Sequence, residues 1–164
     1  MPQFLRKRSV VASLTALALV LPGAAAIGAP SAEERAERMV EMRQSALHLL
    51  GFYMGPLGAM ARGQAPMKID VVGHNAAQLK VLAPMLKDTF QFDTSSYDLD
   101  TEALPGIWKD WDDFAAKADA LAEKATALEA LAAAGDEGAL RGGIAAVGKT
   151  CGGCHDVYRE EDED

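Results

Sequence analysis

The chain is 164 residues long, a length for one domain, and its 49% hydrophobic and 24% charged residues are the composition of an ordinary globular protein rather than a disordered or fibrous one. Sixteen Lys and Arg against 24 Asp and Glu give a formal charge of -8. So acidic a chain has no basic face with which to displace the counterions of a nucleic-acid backbone, and with two cysteines and three histidines any metal or redox chemistry must run through a handful of residues.

Arg6, Lys7 and Arg8 precede an apolar run over residues 10–21, then Pro22, Gly23 and the small residues Ala24, Ala25 and Ala26. A charged region, a short apolar region and an A-x-A site in that order predict a secretory signal peptide over 1–26. The run falls short of the roughly 20 apolar residues that a membrane-spanning helix needs. Lys7 between Arg6 and Arg8 also disfavours a twin-arginine signal. The mature chain is then 27–164, exported to a periplasm where free thiols oxidise unless something consumes them.

From Glu33 onward the apolar residues recur by alternating steps of three and four, the stripe of helices packed in a bundle. The first seam reads Val40, Arg43, Leu47, Leu50, Met54, Leu57, Ala61 and ends at Gly63 and Pro66; Arg43 is its one charged member. Asp70 is placed to cap a second helix with the seam Val72, Ala76, Leu79, Ala83, Leu86, Phe90, in which Pro84 predicts a kink or an early end. Residues 87–104 lack periodicity and read as a long crossover loop. Pro105 suits the first turn of a third helix, with the seam Ile107, Trp111, Phe114, Ala118, Leu121, Ala125, Leu128, Ala132. Gly135 stops it and Asp136 caps the fourth, whose seam is Leu140, Ile144, Val147, Cys151, Cys154, Tyr158. The predicted fold is all-α, an antiparallel four-helix bundle with a long loop between helices two and three. Both cysteines lie on its buried stripe, and the acidic run over 160–164 reads as a solvated tail.

Cys151-Gly152-Gly153-Cys154-His155 is the C-x-x-C-H pattern of covalent c-type haem attachment. Residues three and four apart share a helix face, so both sulfurs can bond one macrocycle while His155 turns toward its centre as an axial ligand. Three rivals are weaker. A disulfide between Cys151 and Cys154 closes too short a loop to gain much. A thioredoxin-like pair wants a βαβ context, and a structural zinc site wants four ligands where only His48 and His74 remain. Gly142, Gly143, Gly148, Gly152 and Gly153 make the fourth helix intrinsically weak, and close approach of a flat cofactor to the backbone is the reading we adopt for them.

These features together resemble the cytochrome c prime family, also called class II cytochromes c. The likeness covers about 33–159. It rests on Arg43-Gln44-Ser45-Ala46-Leu47, Gly63-Gln64-Ala65-Pro66, Pro105-Gly106-Ile107-Trp108 and the block from Val147-Gly148-Lys149 through Cys151-Gly152-Gly153-Cys154-His155-Asp156-Val157-Tyr158-Arg159. The resemblance implies thioethers at Cys151 and Cys154, His155 as proximal ligand, and Leu47 toward the distal face of the iron. It further implies Arg43 at a haem propionate, Arg159 beside the proximal histidine, and a homodimer packed through the first two helices.

Leu47 then sets the expectation for chemistry. Leucine has no lone pair, so it neither ligates iron nor holds water; five-coordinate, high-spin haem c able to bind NO or CO follows, with one-electron transfer as a further activity. The alternative is a six-coordinate, methionine-ligated carrier, for which Met54 leads and Met42, Met60, Met85 and His48 are also available. No enzymatic role is expected, since no distal acid-base histidine is evident, and no membrane span is expected after cleavage. Trp108, Trp111 and Tyr158 read as packing residues, and Phe90 and Phe92 as neighbours of the haem plane.

Overall fold

The computed structural model describes residues 29–161; the signal peptide expected over 1–26 lies outside the described residues, as do 27, 28 and 162–164. The helices are α1 (Ala32–Ala61), α2 (Ile69–Leu82), α3 (Met85–Phe90), α4 (Gly106–Lys109), α5 (Trp111–Ala133) and α6 (Glu137–Tyr158). Among the described residues there is no strand, only one isolated antiparallel bridge, between Ala103 and Arg159.

Local chemistry sets most boundaries. Ser31 caps α1 in a reciprocal box: its hydroxyl accepts from the Glu34 N–H while the Glu34 carboxylate accepts from the Ser31 N–H. Those bonds hold the Glu34 carboxyl below its ordinary pKa. Gly63 and Gly135 supply the positive φ angles, 73° and 69°, that reverse the chain after α1 and α5. The Asp136 side chain accepts from the Ala139 N–H at 3.1 Å, as a cap of α6 should. Pro84 ends α2 as its fixed φ and missing N–H require.

Three expectations need correction. Asp70 does not cap α2; Lys68 stands at that position, and Asp70 lies within the first turn, where a carboxylate favours the positive end of the helix dipole. The loop is shorter than 87–104, because the chain after Pro84 resumes as α3, with Leu86 and Phe90 keeping the seam of α2. The third helix is two helices: α4 ends at Asp110, whose φ of -129° and ψ of 59° break the run before α5.

The four long helices form a ring in which α1 packs on α2 and α6, and α5 packs on α2 and α6. Neighbours are antiparallel, the up-down arrangement expected of short connections. In the half nearest Gly63 and Gly135 the core is filled: Leu57, Val72, Ala76, Ala125, Leu128, Leu140 and Ile144 are buried. There Gly143 lets α6 press against α5, since a Cβ on it would stand 2.9 Å from Leu128 Cδ1 and 3.0 Å from Leu131 Cδ1. In the other half the helices part around a cavity.

Candidate cofactor site

The cavity encloses about 740 Å³ between α1, α3, the 100–103 segment, α5 and α6, a size suited to a cofactor. Leu47, Leu50 and Met54 line it from α1, Leu86 and Phe90 from α3, Phe114, Ala118 and Leu121 from α5, and Cys151, Cys154 and His155 from α6. Both cysteines are half-buried, and His155 is exposed. The helix thus brings together the three residues of the C-x-x-C-H motif.

The thiols are free rather than joined in a disulfide. Burial pushes both above the ordinary thiol pKa, with Thr150 partly opposing this at Cys151 and Lys117 at Cys154. A raised pKa disfavours the thiolate on which a redox-active pair depends. Among the described residues no cluster of three or more His, Cys, Asp or Glu could hold a metal ion, so the zinc reading loses its ligands. A Cβ on Gly152 or Gly153 would meet nothing within 4 Å. Two sulfurs one turn apart, an adjacent imidazole and apolar walls fit a covalently held, flat, apolar macrocycle.

Leu47 is 39% exposed and stands in the cavity wall. Of the rival ligands, Met54 and His48 share that wall. Met54 leans toward α6, its Cε 3.5 Å from where a Cβ on Gly148 would be. Met60 is buried in the filled half of the core, and Met42 and Met85 are exposed away from the cavity. His74 is exposed, with its ring edge-on to Tyr53 at 6.1 Å.

Arg43 also lines the cavity, but its guanidinium is occupied. Nε donates to the Thr89 carbonyl at 2.8 Å, Nη1 to the Thr94 hydroxyl and Nη2 to the Phe92 carbonyl. Its carbon lies 4.8 Å from the Phe90 ring centre and 5.1 Å from that of Trp108. Burial pulls its pKa down to about 10, with Asp93 partly opposing. Arg159 lies at the mouth and donates through Nε to the Glu102 carboxylate. The backbone on either side of it pairs with the loop, Leu104 N–H to Tyr158 O at 3.0 Å and Glu160 N–H to Glu102 O at 2.8 Å. The Tyr158 ring is buried against Phe114 and its hydroxyl donates to Asp113 Oδ2 at 2.7 Å. Phe90 is in the wall; Phe92 is not, its ring lying 6.3 Å from Tyr97.

The sequence profile described as Cytochrome C' matches residues 38–159. The chain belongs to the cytochrome c' family. Cytochrome c-554 of Cereibacter sphaeroides is 38% identical over 128 residues, 77% of this chain and 96% of that protein. The solved cytochrome c prime of Shewanella frigidimarina is 34% identical with a TM-score of 0.70, over 77% of this chain and 97% of that one. A nitric oxide complex of a leucine-to-alanine variant of cytochrome c prime from Alcaligenes xylosoxidans is 32% identical with a TM-score of 0.67, over 77% and 97%. A four-helix haem protein of the cytochrome c' family is therefore the frame into which the cavity must be fitted.

Proposed function

We propose that the chain is an exported cytochrome c', with 1–26 removed and 27–164 folded as one haem-binding bundle, that holds one haem c and binds nitric oxide or carbon monoxide at an iron to which the protein gives a single axial ligand. Cys151 and Cys154 would hold the group as thioethers and His155 would ligate it. When bound, the haem supplies an iron that exchanges one electron or accepts a small neutral diatomic. The rest is done by the chain. The observation that carries the reading is the make-up of the cavity wall: two sulfurs and an imidazole on α6, and on α1 Leu47 beside Leu50.

Leu47 offers neither a lone pair nor a hydrogen bond, so it excludes water from its side of the cavity and must turn aside for a diatomic to occupy that space. The nitric oxide complex of the Alcaligenes relative supports the choice of ligand. Arg159, tied to Glu102, borders the His155 side of the mouth and brings a positive charge there. No catalytic residue is assigned. Met42, Leu49 and Phe52 are exposed on α1 and Val81 on α2, and these exposed apolar side chains support a homodimer formed through the first two helices. Because Met54 and His48 share the wall with Leu47, the second reading is a six-coordinate electron carrier.

One measurement separates the two. The mass of the purified protein should exceed the polypeptide by one haem, and the reduced spectrum should show a single broad visible band that changes on adding NO. Sharp split bands would establish the six-coordinate carrier instead. Leu47→Met should create those split bands from the broad one, and if it leaves the spectrum unaltered, Leu47 does not face the iron.

A further inference from the structure

Arg43 is 2% exposed, and a buried cation is costly unless its donors are met. Its donors go to two carbonyls and one hydroxyl, and all three acceptors fall between Thr89 and Thr94, in the last turn of α3 and the segment that follows it. The guanidinium faces meet Phe90 and Trp108, and Trp108 Nε1 donates to the Phe90 carbonyl at 2.8 Å, drawing α4 to the same point. Phe90 itself stands in the cavity wall, with its ring centre 4.9 Å from that of Phe114. A planar fork with five donors can satisfy acceptors spread along one turn of chain; an ammonium on a flexible stem cannot.

We propose that Arg43 is a positioning residue: its fork clasps the end of α3 and the segment that follows it, and so fixes Phe90 in the cavity wall. The site requires the shape of the fork there rather than the sign of its charge. This role is additional to the propionate partnership that family resemblance implies, for which two of the five N–H donors are left. It rests on the proposed function only in taking the cavity as the cofactor's.

The holoprotein tests it through Arg43→Lys, Arg43→Gln and Thr94→Val, read by amide hydrogen exchange over residues 89–105 and by the rate of CO association. Lysine and glutamine should both speed exchange by about tenfold or more, as loss of bonds to a charged donor implies, and shift the CO rate several-fold. Thr94→Val, which removes one acceptor and no charge, should give a smaller increase at unchanged haem content. Lysine that preserved wild-type exchange and CO rate while glutamine did not would overturn the proposal in favour of charge. If the Arg43 variants do not fold, Thr94→Val and Trp108→Phe decide alone, and unchanged exchange in both would overturn it equally. A protein without haem, or with split bands, would defeat the functional reading in its mass and spectrum while leaving the exchange comparison measurable.

Discussion

The two halves of the bundle use the same helices and the same steps of three and four, yet one is filled by the protein and the other is not. Alanines on the α5 seam show the difference. At Ala125 the small side chain is buried among neighbouring helices, whereas at Ala118, two turns away, it lines the cavity. Small residues therefore do not by themselves open a bundle; what matters is whether the facing seam closes on them. Leu140 and Ile144 on α6 close the filled half, and their counterparts toward the other end are Cys151 and Cys154, which leave space. The filled half draws its stability from its own burial; on the proposed function, the cavity half would draw part of its stability from the group it holds.

The sharpest way to break that contrast is to keep the cavity from being occupied. The double variant Cys151→Ala, Cys154→Ala should show the bare polypeptide mass and no visible absorption. Its far-ultraviolet melting should come at clearly lower temperature, because the apolar walls of the cavity half lose the group they would pack against. Helicity lost first around α3 and the end of α6 would place the loss in the cavity half. A melting curve equal to that of the natural protein would refute the dependence of this half on its occupant.

The filled half should respond in the opposite manner. Gly143→Val inserts side-chain atoms where a Cβ already comes within 3.0 Å of two leucine methyls, and overpacking of this kind costs about 1–3 kcal/mol. The visible spectrum should not change, because Gly143 faces α5 and not the cavity. A spectral change would mean that strain at one end of the bundle reaches the other.

This pattern also explains what was legible from sequence. The four seams, the turns at Gly63 and Gly135, the Asp136 cap and the C-x-x-C-H wall follow from residues close together in the chain, whose periodicity and chemistry are local. Asp70 misled because an acidic residue at the start of a helix serves equally as a cap or as a first-turn charge. The clasp of Arg43 on Thr89, Phe92 and Thr94 spans about fifty residues of chain, and no spacing rule links a charged seam residue to the carbonyls of a distant loop. The same holds for Glu102 with Arg159 and for Tyr158 with Asp113. The glycines of α6 were given one explanation in sequence, while the structure divides them between helix packing at Gly143 and open space at Gly152 and Gly153.

Tyr158 joins the ends of α5 and α6 beneath the cavity, so it tests whether the cavity half has any fixed frame of its own. Burial raises the phenol pKa, and the bond to Asp113 raises it further. An unfolded tyrosine ionises near pH 10, so the unfolded chain loses this proton first and stability should fall as pH rises above about 10. Tyr158→Phe should cost about 1.5–3 kcal/mol at neutral pH, the loss of a hydrogen bond to a carboxylate, and should flatten the alkaline decline seen in pH-dependent melting. A decline of unchanged steepness would assign it to other groups.

The smallest effect concerns the glycines between the cysteines, and it decides how closely the backbone there must be approached. With nothing within 4 Å of a Cβ at position 152, Gly152→Ala meets no protein atom and should gain up to about 1 kcal/mol from helix propensity alone. That gain should appear in the double-cysteine variant, where only the polypeptide is present, and in the holoprotein alike. A gain in the former with impaired haem attachment in the latter would show that the occupant presses on the backbone at Gly152, as Leu128 and Leu131 press on Gly143. The cavity half would then owe its glycine to the cofactor just as the filled half owes its own to a neighbouring helix.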